Sequence, residues 1–529
     1  MGSNSKKARR KKQARLIMLM SVAGILIVTV IAVCLIILVV KTTGLAPVNK
    51  QENETTTNAV ASITTTAESV EDTQASVTED TTAETIEITK PEEPTTAEST
   101  APALTGDALL DAANLKAAMY DYDTAISMLT GSSEYATNTS YQQAVTDYEA
   151  AKAGLVKWAD NGQITHIFFH SLIFDPNLSF GSEGDIAKYN KVMTTIPEFN
   201  EIMQEMYDRG YVIVSLQDIA RMELQADGSY KMVSQAIYLP PGKQPFVISQ
   251  DDVCYYEYMT GKGFANRLVV DTDGTVTCEM ELIDGTVVRG SFDMIPILDD
   301  FIDLHPDFSY HGAKGIIALT GYNGVFGYRT SHYNYGPENE GRAGSGYLYP
   351  NYNIDADTET AKQVAAALKA DGWTFATHSW GHRAMGSAAY ENFVADLNRW
   401  MEEVIPIIGE CDTVIYPFGD DIGYFWGYTN TEKQKADTLD KYTYMKNLGF
   451  NYFCNVDSNQ YWVQITDQYM RQGRRNVDGQ RLYEAICGYR NLLSDIIDVE
   501  KVWDWERPEP VEGVPVPEGY VIGSHSNRT

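Results

Sequence analysis

The chain has 529 residues, of which 44% are hydrophobic, and a formal net charge of −31 at pH 7. It is too long for one ordinary hydrophobic core, so several segments are expected. Residues 1–50 carry nine Lys or Arg and no acidic residue, which leaves 32 basic and 72 acidic side chains in residues 51–529. The excess of acidic side chains in residues 51–529 argues against binding of nucleic acid through general electrostatics. It suits neutral or cationic ligands.

The N-terminal segment predicts a membrane anchor. Residues 1–15 form a basic tail, and residues 16–40 are 25 residues without a charged side chain, long enough to cross a bilayer. The positive-inside rule places the N-terminus in the cytoplasm and the chain after Lys41 outside. Because no small-residue cleavage site follows closely, we expect an uncleaved single-pass helix in the cell membrane. A removed signal peptide and a secreted protein are the alternative.

Two segments of low and intermediate complexity follow the predicted anchor. Residues 41–105 are rich in Thr and Glu and lack aromatic side chains, which predicts a disordered stalk. Residues 106–160 show apolar residues at three- and four-residue spacings, with a break at Gly131-Ser132-Ser133. This pattern predicts a helical hairpin that acts as a spacer or packing element.

Residues 161–500 alternate between strand-like and helix-like runs, which predicts a parallel α/β fold. Two Asp-Gly turns, at Asp273 and Asp284, predict a β-hairpin or meander inserted in this domain. Residues 501–529 are expected to form a C-terminal tail. The predicted strands are 164–169, 211–216, 246–249, 314–320, 373–377, 414–417 and 450–454.

Polar side chains follow two of these strands at their C-terminal ends. Asp251 and Asp252 come after the run 246–249, and His378 and His382 come after 373–377. This is the end of the strands where α/β folds place their chemistry. Two His four residues apart lie on one face of a helical turn and can share one ion, and a carboxylate from another strand completes three protein ligands. The sequence therefore predicts a metal-dependent hydrolase.

The order of these segments resembles the polysaccharide deacetylase family (carbohydrate esterase family 4, the NodB-homology domain) over about residues 163–490. Within that family, these segments look most similar to the branch that acts on exported poly-N-acetylglucosamine. Residues 378–382 match the family's His-Ser/Thr-x-x-His motif in full. The other similar segments are His166–Ile173, the helix and strand 199–216, Ser249-Gln250-Asp251-Asp252, and Tyr416-Pro417-Phe418-Gly419.

The resemblance implies a distorted (β/α) barrel and an N-deacetylase that acts on a cell-envelope polysaccharide, either peptidoglycan or an exopolysaccharide. It implies Asp252, His378 and His382 as ligands of one divalent metal, with zinc as the default and cobalt or nickel also compatible with these ligand types. Asp251 would be the general base, and the backbone around Tyr416-Pro417 would help to hold the oxyanion.

The chain departs from the family pattern at two positions. Ile415 stands where the family has an Arg that orients the base, and the family's late general-acid His is missing. We hypothesise that one of the arginines near residue 474, foremost Arg474, replaces the missing Arg. His170, at the end of the first predicted strand, is the candidate general acid; a Glu or Tyr is the alternative.

Aromatic side chains near the motifs are candidates for stacking on sugar rings. The candidate substrate-binding residues are Tyr255, Trp380, Tyr416, Pro417 and Phe418. Further aromatic residues, at 424–426, follow the segment Tyr416-Pro417-Phe418-Gly419. Packing of loops against the barrel explains half or more of all these aromatic residues equally well.

Two other functions are consistent with the same sequence. The missing Arg and His would also suit an inactive or metal-free carbohydrate-binding relative. Ester leaving groups need less protonation than amines, so a site without a general-acid His would also suit an O-acetyl esterase that acts on a polysaccharide.

Overall fold

The computed structural model describes residues 104–336, 353–430, 432–457 and 461–523. The predicted basic tail, membrane anchor and nearly all of the stalk lie outside the described residues and stay predictions. Within these ranges, no helix is long and apolar enough to span a membrane.

Seven parallel strands form a closed barrel. Each strand pairs with the next one along the chain, and the last pairs with the first. This confirms the expected distorted α/β barrel. The strands are β1 (Thr165–Phe169), β2 (Gln244–Gln250), β3 (Ile316–Leu319), β4 (Thr374–Thr377), β5 (Thr413–Ile415), β6 (Tyr452–Val456) and β7 (Met470–Asn476).

Side chains alternate between the barrel interior and an outer layer, as the period of a strand requires. Val247, Ala318 and Cys454 belong to the inner cluster, while Ile248 and Ile317 belong to the cluster shared with the helices. The helices around the barrel are Ile196–Asp208, Met294–Leu304, Ile354–Ala370, Tyr390–Glu403, Ile405–Ile408, Thr438–Asn447, Gly479–Ile486 and Val499–Val502.

Short elements lie before β1 and in the connections between the barrel strands. The short helices are Pro176–Ser179, Glu183–Tyr189, Leu216–Ile219 and His332–Tyr335. Strand Tyr211–Ile213 pairs with β2 outside the closed barrel, and Val463–Ile465 pairs with β7. Val156–Lys157 pairs with Tyr238–Leu239. The helix Leu216–Ile219 ends where the chain enters an antiparallel hairpin, Ala220–Leu224 with Tyr230–Ser234.

An antiparallel meander is inserted between β2 and β3, as the two Asp-Gly turns predicted. Its strands are Arg267–Val270, Val276–Glu281 and Val287–Gly290. Gly274 and Gly285 adopt φ of 92° and 81°, a conformation that glycine reaches without strain.

The N-terminal helical segment has three helices where the sequence predicted a hairpin of two. The helices are Gly106–Ala118, Tyr122–Thr130 and Thr139–Ala153. Tyr120 adopts φ of 65°, and the Asp121 side chain then accepts the N–H of Thr124 as an N-cap. This cap ends the first helix and starts the second, a break that the continuous apolar spacing hid.

The predicted C-terminal tail packs against the rest of the domain as far as residue 514. Trp503, Val511 and Val514 are buried. The Arg507 guanidinium pairs with the Glu198 carboxylate at 2.7 Å, with neither side chain exposed. An unpaired buried charge is costly, so this ion pair fixes the segment to the helix Ile196–Asp208.

Candidate active site

A cavity of about 700 Å³ opens at the C-terminal ends of the barrel strands. The polar residues predicted at the ends of three strands line this cavity. His170 follows β1, Asp251 and Asp252 follow β2, and His378 and His382 follow β4. Parallel strands bring their carboxyl ends to one face of a barrel, so segments far apart in the chain meet here.

Asp252, His378 and His382 form the candidate metal centre. One ligand atom from each lies within 4.8 Å of the others. The Asp252 Oδ1 lies 3.9 Å from the Nε2 of His378 and 3.7 Å from the Nε2 of His382. The expected helical turn is absent between the two His: they lie on a loop in which Ser379 and His382 have φ of 54° and 51°.

His378 has the hydrogen-bonding pattern of a metal ligand. Its Nδ1 lies 2.7 Å from the carbonyl oxygen of Ile415. A carbonyl only accepts, so Nδ1 donates and Nε2 keeps its lone pair toward the carboxylate. Burial lowers the pKa of His378 to about 4, so the imidazole is neutral at physiological pH. A neutral imidazole is the form that binds a cation.

Asp252 is also held in place by its neighbours. The Tyr256 hydroxyl donates to its Oδ1 at 2.9 Å. Burial alone raises the pKa of this carboxyl, but the adjacent His382 and His378 hold it below its usual range. The three side chains therefore present one ionised carboxylate and two imidazoles, a donor set that fits a divalent metal with a position left for another ligand.

Asp251 makes a bidentate ion pair with Arg474 inside the barrel. The two Nη atoms donate to its two oxygens at 2.7 and 2.9 Å. Arg474 also donates to the Ser249 hydroxyl at 3.2 Å, and that hydroxyl lies 2.9 Å from Nε2 of the buried His166. Burial raises the pKa of Asp251, but Arg474 and then His378 outweigh it and hold this pKa well below the usual range.

Left-handed backbone conformations are concentrated at the candidate site. Asp252, Ser379, His382 and Phe418 have φ of 62°, 54°, 51° and 58°. Each costs about 1–3 kcal/mol for a residue with a side chain, and such strain gathers where a fold holds a side chain for function. These backbone conformations direct the side chains of Asp252 and His382 toward the same point.

Most of the predicted substrate-binding residues do not line the cavity. Tyr255, Trp380 and Tyr416 are buried, as is Pro417, and of the five only Phe418 lines the cavity. The Tyr416 hydroxyl lies 3.0 Å from that of Tyr428, and its N–H donates to the Cys454 carbonyl. The Trp380 Nε1 donates to Glu403. Their aromatic character serves packing, which the sequence allowed as the alternative.

Lys188 and Tyr189 also line the cavity, and no sequence pattern singled them out. Tyr189 and Lys188 end the short helix Glu183–Tyr189, and Tyr258 lies in the turn Glu257–Met259. The Lys188 Nζ stands 5.4 Å from the centre of the Tyr258 ring. No local pattern marked the helix as part of the site, because its position depends on the fold.

Comparison with known proteins gives one structural likeness. No family model and no curated protein matches this chain. The Streptococcus pyogenes deacetylase PplD, solved in complex with acetate, is similar at 14% identity and a TM-score of 0.29, over 62% of this chain and 95% of its own. A TM-score this low carries no argument about this chain, so its function is inferred from its own residues.

Proposed function

We propose that the protein is a metal-dependent hydrolase that removes acetyl groups from N-acetylated sugars of a cell-envelope glycan. The observation that supports this is the cluster of Asp252, His378 and His382 in a cavity beside a carboxylate, Asp251, that is paired with Arg474. The arrangement has the ligands for a metal and a separate base, which together suit amide hydrolysis.

Asp252, His378 and His382 would hold the metal, with zinc as the default and cobalt or nickel also compatible. A bound divalent metal supplies Lewis-acid polarisation of the acetyl carbonyl and lowers the pKa of water. The fit rests on the tautomer of His378, fixed by the Ile415 carbonyl, and on the hydroxyl of Tyr256 at Asp252.

Asp251 would take the proton from the attacking water. Both of its oxygens accept from Arg474, so the carboxylate is ionised and cannot rotate. In this role Arg474 stands in for the Arg that Ile415 replaces.

His170 would donate the proton to the leaving amine, since it lines the same cavity as Asp251. The oxyanion donor would be the amide N–H of Phe418. Tyr416 already donates its N–H to the Cys454 carbonyl, and Pro417 has none. Phe418 is the next residue along the chain and lines the cavity.

The metal content of the purified protein and of its His378→Ala variant tests the proposal first. We expect about one equivalent of metal in the parent and little in the variant. The exposed His332, replaced by Ala, is a matched control that keeps the metal. No metal in the parent after incubation with zinc would leave the carbohydrate-binding alternative.

Acetate release then distinguishes the bond that is cleaved. We expect release from N-acetylglucosamine oligomers, lost in His378→Ala. Release from an O-acetylated polysaccharide alone would replace the N-deacetylase with the esterase.

For the location, we propose the outer side of the cell membrane, with the N-terminus in the cytoplasm. The uncharged segment 16–40 after a basic tail supports it. Deleting residues 16–40 should move the protein out of the membrane fraction, and a protein that stays there would contradict this location.

A further inference from the structure

Three consecutive aromatic side chains are exposed to solvent on the connection that follows β5. Tyr424, Phe425 and Trp426 expose 53%, 64% and 53% of their surface. We call these three residues the aromatic ridge. The Phe425 ring contacts that of Trp426 at 5.7 Å between centroids and that of the half-buried Trp462 at 6.2 Å. Adjacent exposed rings of this size mark a surface that binds something.

The backbone under the aromatic ridge is fixed. The buried Arg471 donates to the Tyr424 carbonyl at 3.1 Å and is itself paired with Asp421 at 2.7 Å. At the other end, the Tyr428 N–H donates to the Tyr469 hydroxyl at 2.9 Å. The rings are therefore presented on an ordered backbone, and binding would cost little conformational entropy.

Lysine ammonium groups lie over two of the three rings. The Lys433 Nζ lies 4.0 Å from the centroid of Trp426, and the Lys435 Nζ lies 5.7 Å from that of Tyr424. Sugar rings present apolar C–H faces edged by hydroxyl groups. Aromatic faces flanked by hydrogen-bond donors match that combination.

The aromatic ridge is connected to the cavity by its own chain segment. Phe418 lies earlier in the same connection, is 71% exposed, and packs edge-on against His382 at 4.5 Å between centroids. The same connection therefore carries both Phe418 at the cavity and the aromatic ridge.

We infer that the aromatic ridge binds sugar units of the same glycan chain whose acetylated unit occupies the cavity. The identity of that chain rests on the proposed function. The charge favours a glycan over a lipid surface: residues 51–529 hold 72 acidic and only 32 basic side chains, and an anionic bilayer repels such a body. A neutral or partly deacetylated, cationic glycan is not repelled.

Binding without turnover tests the inference. The full-length protein, kept in a chelator so that no acetyl group is released, is titrated by calorimetry with the hexamer and the dimer of N-acetylglucosamine. We expect the hexamer to bind about ten-fold more tightly than the dimer. In Phe425→Ala/Trp426→Ala the hexamer affinity should fall to that of the dimer, with dimer affinity unchanged.

A matched control removes an exposed ring elsewhere. Tyr230 is 63% exposed on the hairpin Ala220–Leu224 with Tyr230–Ser234, and it belongs neither to the cavity lining nor to the aromatic ridge. Tyr230→Ala should bind the hexamer like the parent. The same hexamer affinity in a folded Phe425→Ala/Trp426→Ala variant would overturn the inference. Phe425→Ala alone, with an intermediate affinity, serves if the double variant does not fold.

Two further results separate this inference from the proposed function. Hexamer binding that depends on the aromatic ridge, in a protein that releases no acetate with metal restored, supports the ridge and removes the deacetylase. Acetate release by the parent, with an unchanged hexamer affinity in the double variant, supports the deacetylase and overturns the inference about the aromatic ridge. Ridge-dependent binding of a soluble short-chain phosphatidylglycerol, without binding of the hexamer, would overturn the glycan in favour of lipid.

Discussion

The ion pair between Arg474 and Asp251 has almost no access to water, with side-chain exposures of 0% and 4%. Replacing Arg474 by Met keeps much of the side-chain volume but leaves a carboxylate buried beside it without a cation. Breaking a buried pair in this way costs about 3–5 kcal/mol of the free energy of unfolding, because the remaining charge is desolvated and uncompensated.

The cost should depend on pH in a defined direction. In the parent, Asp251 has a folded pKa below its unfolded value, so its contribution to stability is present above about pH 4 and is lost as the pH falls through the folded pKa. In Arg474→Met, burial raises this pKa, so the variant takes up a proton on folding. The stability gap between parent and variant should therefore be widest at pH 7 and shrink toward pH 4.

Urea unfolding of the metal-free parent and variant at pH 7 and pH 4.5 measures both numbers. Arg475→Met is a matched control, since Arg475 pairs with the more exposed Asp495 and should cost less. Asp251→Asn added to Arg474→Met should recover part of the loss. A loss of under about 1 kcal/mol at pH 7, or a gap that does not change with pH, would refute a charged Asp251 held by Arg474.

Three more outcomes follow from the described contacts. His378 should stay neutral in the metal-free protein down to about pH 4, and its neutral form should stabilise the fold fully above pH 6.5 and progressively less as the pH falls; an NMR titration with a midpoint near 6.5 would contradict this. Tyr256→Phe removes the hydroxyl at Asp252 and should weaken zinc about 10- to 100-fold in a chelator competition, whereas unchanged affinity would contradict a role for that contact. Arg507→Ala leaves Glu198 buried and should cost about 3–5 kcal/mol in chemical unfolding, and a change near zero would show that the C-terminal segment is not held by this pair.

Local pattern was enough to predict six of the seven barrel strands and the candidate metal ligands. Strands such as β2 and β4 are short apolar runs, and a buried parallel strand needs just that composition. Asp252, His378 and His382 follow these runs directly, so their meeting at one end of the barrel follows from the parallel direction of the strands.

β7 could not be predicted, because its sequence Met-Arg-Gln-Gly-Arg-Arg-Asn is polar although nearly all of it is buried. The three buried arginines of β7 are stable only because each forms an ion pair with a carboxylate from another segment. Arg474 pairs with Asp251, Arg471 with Asp421 and Arg475 with Asp495. Those partners are close in space and far away in the chain, so no local period reports them.

The sequence by itself determined the alternation of strands and helices and the residue types at the strand ends, since both are set by neighbours along the chain. Which aromatic residues reach the cavity was decided by tertiary structure alone: Tyr416 is buried, while Phe418, two residues later, lines the cavity. The surroundings of these two side chains depend on how the barrel closes and on the left-handed backbone conformation of Phe418. Such a strained conformation persists only because the surrounding structure favours it.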